Sequence, residues 1–359
     1  MFQLIIISLC FLLSYGYVLE PLTTFNGVLP KSYSVGKSSK VYVVSNNLPE
    51  TIGNLVLSTK EQAVNGTYFS YTTQTGSLTP FIPSQDGDTL TVQQLGTKNL
   101  TGWLYITTET NFNVYPLDIN TPKISFQPGT NIFFALESSD LINIPVAENV
   151  VVSDAVSLRG YVGVPEDNGK MFFDSGAIKG LTTYDQLQLT MPIFHFKSNG
   201  VDVKYDISYG SERLLSINFA GLLMTKDFPT YYNYRYSTNV MSNPYSDDIT
   251  FYMVCHFDNT QTYAVNVTLE YDDGSRPTVF PMTSTEDRVI QSISPLAEMK
   301  IGSNGPFAFQ FQFKNANPKP TTIQTTPTTT VATTTQSGRR MDLTNVILGF
   351  LMILLMKLA

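Results

Sequence analysis

Cysteine is nearly missing from this chain, with two residues among 359. Cys10 sits inside an N-terminal apolar segment that reads as a removable leader, which leaves Cys255 alone in the remainder. No intramolecular disulfide is then available, so the fold has to rest on burial and on packing between modules, unlike most small secreted domains. Histidine is equally sparse, at two. No His, Cys, Asp or Glu cluster has zinc-ligand spacing, so neither a metal nor a cofactor is expected. Lysine and arginine are unclustered against a net charge of -7, which argues against nucleic acid as a partner because phosphate binding needs a basic patch. A Gly-x-Ser-x-Gly elbow, a phosphate-cradling loop and a dinucleotide fingerprint are all missing, so the sequence gives no positive support for an enzyme.

Long apolar runs are also lacking. The N-terminal one, Leu4 to Leu13, is followed by Ser14-Tyr15-Gly16, and residues 1–16 read as a secretory signal peptide with the mature chain starting near Tyr17. The C-terminal one, Val346 to Ala359, is shorter than the roughly 20 residues of a spanning helix. It follows a polar spacer from Arg339 to Asn345, and residues 339–359 match the pattern of a signal exchanged for a lipid anchor of the GPI type. Ser337 and Gly338 are the candidate attachment positions. A short, tilted single span is the alternative. Residues 315–338 are dominated by Thr with Pro318, Pro320 and Pro327, a composition that buries no core and reads as an extended, O-glycosylated stalk. Together these features place the protein on the outer face of the plasma membrane.

What remains is rich in aromatic residues, with 20 Tyr and 23 Phe, while only 14% of residues are charged. That balance favours strands over helical bundles. Short alternating runs recur at spacings near ten residues, among them Val41 to Val44, Leu55 to Leu57, Tyr68 to Tyr71, Leu90 to Val92, Trp103 to Ile106 and Phe112 to Tyr115, with turn residues such as Asp86-Gly87 between them. The expected fold is all-β, with two to three antiparallel sandwich modules over residues 17–120, 121–240 and 241–314. Ile249 to Phe257 alternates strictly and is expected to pair with Tyr263 to Tyr271 across a short loop. Phe307, Phe309, Phe311 and Phe313 fall on one face of a closing strand. Tyr231 to Tyr236 is dense enough in rings to suggest a ligand-facing loop, although a tyrosine-rich packing segment between domains is the better account.

Three Asn-x-Thr sequons predict N-glycosylation at Asn65, Asn99 and Asn266, the last inside a strand, where it has to face solvent or stay bare. Asp86, Asp88, Asp272 and Asp273 lie on turns. They are the positions to consider for calcium, or for a surface hydrolase or carbohydrate-active protein using loop carboxylates, although ordinary solvated turns are the better account of them. Cys255 with His195 is the minimum of a thiol nucleophile and its base, yet both fit strand positions among apolar neighbours and read as structural.

The opening Asn26-Gly27-Val28-Leu29-Pro30-Lys31-Ser32-Tyr33 and the strand at Phe112-Asn113-Val114, followed by more β sequence, a Thr stalk and an anchor, resemble the CUB-like secreted and surface proteins numerous in nematodes. The resemblance covers chiefly residues 23–119, without the paired cysteines of true CUB domains. It implies a jelly-roll-like sandwich, no catalytic residues, residence in membrane rafts, and a recognition role toward an extracellular protein or glycan in innate immune or stress responses.

One consequence of the lone Cys255 is directly measurable. The thermal unfolding midpoint of the secreted protein is expected to be the same with and without reductant, and a drop on reduction would reveal a covalent link between chains.

Overall fold

The computed structural model describes residues 16–69, 76–119, 123–126, 128–136, 144–200, 202–210, 219–226, 228–229, 234–239, 249–257, 265–271, 273–282, 287–291, 296–303 and 305–315. Those residues form an all-β fold, as the composition and alternation indicate.

The first seven strands are β1 (Tyr17–Pro21), β2 (Lys31–Val35), β3 (Lys40–Val44), β4 (Leu55–Ser58), β5 (Ala63–Asn65), β6 (Asp88–Gln94) and β7 (Trp103–Thr107), with one short helix, α1 (Pro49–Ile52). They make a three-stranded sheet, β1-β7-β3, facing a four-stranded sheet, β2-β6-β4-β5. The core between them gathers Leu22, Phe25, Val41, Val43, Leu57, Leu90 and Leu104. Tyr68 and Phe69, expected in a strand, lie instead in a 3-10 turn, Gly66–Phe69. A Cβ on Gly66 would sit 2.3 Å from the Ile52 carbonyl, so the chain passes close to α1 there and leaves the ladder.

The next ten are β8 (Phe112–Leu117), β9 (Ile124–Phe126), β10 (Thr130–Ala135), β11 (Ile144–Val152), β12 (Leu158–Val162), β13 (Met171–Asp174), β14 (Thr183–Gln188), β15 (Ile193–Ser198), β16 (Val203–Gly210) and β17 (Ala220–Met224). The last seven are β18 (Tyr234–Asn239), β19 (Ile249–Phe257), β20 (Val265–Tyr271), β21 (Thr278–Met282), β22 (Asp287–Gln291), β23 (Leu296–Ser303) and β24 (Phe307–Asn315). Three more sheets result: β13-β12-β15-β10-β8, the long β22-β19-β24-β17-β14-β11-β16-β9, and β18-β23-β20-β21.

The eight-stranded sheet serves two sandwiches, one on each face. Along β17, Leu222 and Met224 point into the core shared with the five-stranded sheet, while Leu223 joins the core under β20 and β23. β24 does the same. Its four Phe residues fill the second core, as the alternation predicts, while Ala308 belongs to the first. β17 joins the sheet by a parallel pairing with β14 at Gln186↔Gly221 and Leu187↔Leu222. A Cβ on Gly221 would lie 2.6 Å from the Gln186 carbonyl, so glycine permits that close approach.

β19 pairs along its whole length with β24, from Ile249↔Asn315 to Phe257↔Phe307, and on its other side with β22. It does not pair with β20, which lies between β21 and β23. The expected β19–β20 hairpin is therefore wrong: the two strands carry the same period of two and belong to opposing sheets. Tyr234 and Tyr236 lie in β18 and not in a loop, while Tyr231 and Tyr232 fall outside the described residues.

A fourth core lies between modules. Tyr42, Val44 and Tyr105 on the three-stranded sheet pack against Val114, Ile132, Phe134 and Ile193 on the five-stranded one. This double coverage explains why Val41 to Val44 and Ile132 to Phe134 are buried without a break. Polar groups close the same seam. The Tyr105 hydroxyl donates to both carboxylate oxygens of Glu166 at 2.9 Å, the Thr107 hydroxyl donates to Glu166, and the Tyr17 hydroxyl donates to Asp167. Burial, with the Glu166 charge beside it, pushes the Tyr105 hydroxyl pKa far up.

Gln310 is the polar counterpart on β24. Its Oε1 accepts from the Asp174 amide at 2.9 Å and from His256 Nε2 at 2.6 Å, and its Nε2 donates to the Asp174 carbonyl at 3.0 Å. The side chain is fully buried. Because Oε1 receives both bonds, the His256 proton sits on Nε2. Gln310→Leu keeps the volume but strands the Asp174 amide and carbonyl, each costing about 1–3 kcal/mol when buried without a partner. A loss of roughly 2–6 kcal/mol in urea denaturation is expected from those groups, and a neutral result would show that water reaches β13.

Candidate recognition surface

At one end of the N-terminal sandwich, three connectors cross between its two sheets: residues 22–30, 45–54 and 95–102. Because strand direction alternates, all three emerge at the same end. Each is rooted by buried apolar side chains, Leu22 and Phe25 in the first, Ile52 in the second and Leu100 in the third. The third is clamped from both sides. Asn26 Oδ1 accepts from the Leu100 amide at 2.8 Å, and Asn47 Oδ1 accepts from the Thr101 amide at 2.8 Å while its Nδ2 donates to Thr101 Oγ1 at 3.0 Å. Ser45 Oγ donates to the Thr101 carbonyl at 2.7 Å, and the Leu95 amide donates to the Asn54 carbonyl at 2.8 Å. Gly102, at φ +116°, passes so close to Val44 that a Cβ would meet the Val44 carbonyl at 2.0 Å.

On this hydrogen-bonded base the loops present aliphatic side chains to water. Leu29 is 84% exposed, and Leu48 and Leu95 are each 65% exposed. The second connector also borders a cavity of about 320 Å³, backed by Ile52 and Phe69 and rimmed by Asn46, Asn47, Thr67 and Asp118. Immobilised loops that expose apolar residues around a polar-rimmed hollow can hold a partner with little ordering cost. Leu48 and Leu95 belong to no sequence motif, and Leu29 enters only as part of the Asn26–Tyr33 opening. Their signal was Leu-Pro and Leu-Gly within turn segments, where an apolar residue has no strand face to occupy.

All three sequon asparagines are exposed. Asn65 ends β5, and its Oδ1 accepts from the Thr67 amide at 3.1 Å and the Thr67 hydroxyl at 2.6 Å. Asn99 lies on the third connector, and Asn266 on β20. Ser337 and Gly338 lie outside the described residues.

The turn carboxylates are not brought together. Asp86 Oδ1 accepts from the Lys37 amide at 2.8 Å, Asp88 Oδ1 from the Thr89 amide at 2.7 Å, and Asp273 Oδ1 from the Ser275 amide at 2.9 Å. Asp88 opens β6 of the N-terminal four-stranded sheet with Asp86 in the turn before it, and Asp273 lies in the turn after β20; Asp272 is outside the described residues. Among the described residues, no three His, Cys, Asp or Glu side chains converge as a metal site.

His195 and Cys255 occupy different sheets, β15 in the five-stranded sheet and β19 in the eight-stranded one, with Cys255 opposite Phe309 in register. His195 is 3% exposed, stacks on Tyr161 at 5.2 Å and places Nδ1 2.9 Å from the Gly163 carbonyl, so Nδ1 carries the proton. Burial pulls its pKa down from 6.5 to about 4. In the unfolded chain the ring protonates as pH drops through 6.5, while in the folded chain it stays neutral down to about 4. Stability is therefore lost across that window by up to roughly 3 kcal/mol. His195→Asn retains a donor for Gly163 without a titrating ring. Its deficit relative to the parent, large at about pH 7.5, is expected to shrink toward about pH 4.5 in urea titrations, and a constant deficit would show that the folded protein accepts the charge.

No family model matches this chain, and no curated protein matches it. Among solved structures, the CUB1-EGF-CUB2 domain of human MASP-1/3 is similar over 83% of this chain and 99% of that one, at 8% identity and a TM-score of 0.19. The CBM22-1-CBM22-2 tandem domain from Paenibacillus barcinonensis Xyn10C covers 79% and 99% at 7% identity and a TM-score of 0.16. The infectious bursal disease virus VP2 subviral particle covers 83% and 71% at 10% identity and a TM-score of 0.14. A CUB pair is thus a structural neighbour of this chain, with little superposable in detail, and the β architecture rests on the strand pairings themselves.

Proposed function

We propose that this protein is a non-enzymatic recognition module, displayed on the outer face of the plasma membrane by a GPI-type lipid anchor and a Thr-rich stalk, that binds an extracellular protein through the connector end of its N-terminal sandwich. The observation that carries this is the set of exposed Leu29, Leu48 and Leu95 on three loops fixed by Asn26, Asn47 and Asn54. Exposed aliphatic residues on a rigid base mark contact surfaces, because a monomer left in water gains nothing from them. They favour a protein partner over a glycan, for which stacking rings would be expected.

The packed seams between modules support the display role. A chain without disulfides holds its loop end at a fixed attitude only if its modules cannot swivel, and the shared sheet together with the Glu166 contacts supplies that stiffness. Asp86, Asp88 and Asp273 each accept a backbone amide, of Lys37, Thr89 and Ser275 in turn, which favours binding over catalysis. A part in innate immune or stress responses is consistent with a surface receptor of this kind and would be exercised through its partner.

The test uses the full chain on intact cells. A phosphatidylinositol-specific phospholipase is expected to release the protein, with the segment after Ser337 or Gly338 absent by mass spectrometry. The released protein is expected to bind the surface of cells of its own source. Joint replacement of Leu29, Leu48 and Leu95 by Asp should lower that binding at least about tenfold with unchanged circular dichroism. Undiminished binding would move the contact elsewhere, and retention with an intact tail would make the chain a single-span protein.

A further inference from the structure

Asn266 stands at the centre of an outer sheet face with unusually little around it. β20 alternates strictly: Val265, Val267, Leu269 and Tyr271 are buried against the eight-stranded sheet, while Asn266 is exposed and Thr268 and Glu270 share its side. In register, Asn266 is flanked by Gly302 on β23 and by Pro281 on β21. Gly302 has no side chain, and even a Cβ there would meet nothing within 4 Å. Pro281 is exposed, and Val279, opposite Thr268, is 55% exposed. The floor on both sides of the asparagine is thus low, and on the β21 side it is apolar.

That apolar side is also an edge. β21 pairs with β20 and has no other neighbour among the described residues, so its outer backbone groups and Val279 are open to a strand from another molecule. Pro281 removes one donor from this edge, which is a partial defence. A bulky hydrophilic group anchored one strand inward, about 4.8 Å away, would complete it.

We propose that an N-linked glycan on Asn266 lies across Pro281 and Val279 and blocks edge-to-edge association of β21. The proposal rests on the secretory route put forward above. Transfer forms a bond from Asn266 Nδ2 to the anomeric carbon of a diphosphate-activated oligosaccharide. That carbon's bond to the diphosphate breaks, the diphosphate leaves with the electron pair, and one amide proton is released. The Thr268 hydroxyl two residues on shares the face, as the acceptor motif requires. The apolar faces of the first sugars then have Pro281 and Val279 to rest on, and their hydroxyls face water.

The full chain expressed through a secretory pathway decides the matter. Peptide mass spectrometry is expected to find Asn266 glycosylated. Asn266→Gln, with unchanged circular dichroism, is expected to sediment as concentration-dependent oligomers, and adding Val279→Lys should restore the monomer. Asn65→Gln, away from this edge, should stay monomeric. Should Asn266→Gln fail to fold, endoglycosidase trimming of the folded wild type makes the same comparison. A bare Asn266 beside occupied Asn65 and Asn99 would overturn this proposal alone. All three bare would overturn the secretory reading as well. An occupied Asn266 whose loss leaves the protein monomeric would overturn the protective role.

Discussion

The structure depends on one strand having two cores. β24 turns Phe307, Phe309, Phe311 and Phe313 toward the C-terminal sheet and Ala308 and Gln310 toward the middle sandwich. With no disulfide expected, that arrangement does what a covalent link does elsewhere. Neither sandwich can open on that strand without exposing part of the other, since the eight-stranded sheet is common to both. In return, the second face has to be satisfied without water, and Gln310 does so by bonding both the amide and the carbonyl of Asp174.

The same logic operates at the other seam. The three-stranded N-terminal sheet is stabilised by burial on both sides, with Tyr42 and Tyr105 stacked 5.9 Å apart against the five-stranded sheet. Glu166 then provides acceptors for hydroxyls that burial would otherwise leave unpaired. Rigidity at both seams turns the connector loops of the first sandwich into a fixed presentation surface, which links packing to the proposed recognition role.

Part of this was legible in the residues and part was not, for a consistent reason. Strand class was readable because alternation survives in β20 and β24, each with one clear apolar face. Pairing was not: β19 and β20 carry the same period, and nothing local tells a strand which of two opposing sheets will accept it. The burial of Gln310 and His256 is not legible in the sequence, because a polar residue alternating with apolar ones reads the same whether water or another sheet lies beyond it. The 3-10 turn at Tyr68 was masked by its aromatic residues, and only the passage of Gly66 against Ile52 explains it.

The sequence by itself determined that the chain is β, low in charge and poor in cysteine. Those properties follow from composition and from the side-chain period, which act locally. Only the tertiary structure decided that the modules share a sheet, that His195 is a buried neutral ring, and that Leu29, Leu48 and Leu95 emerge together at one end. These depend on which strands become neighbours, and that choice is made by the complementarity of whole faces in three dimensions.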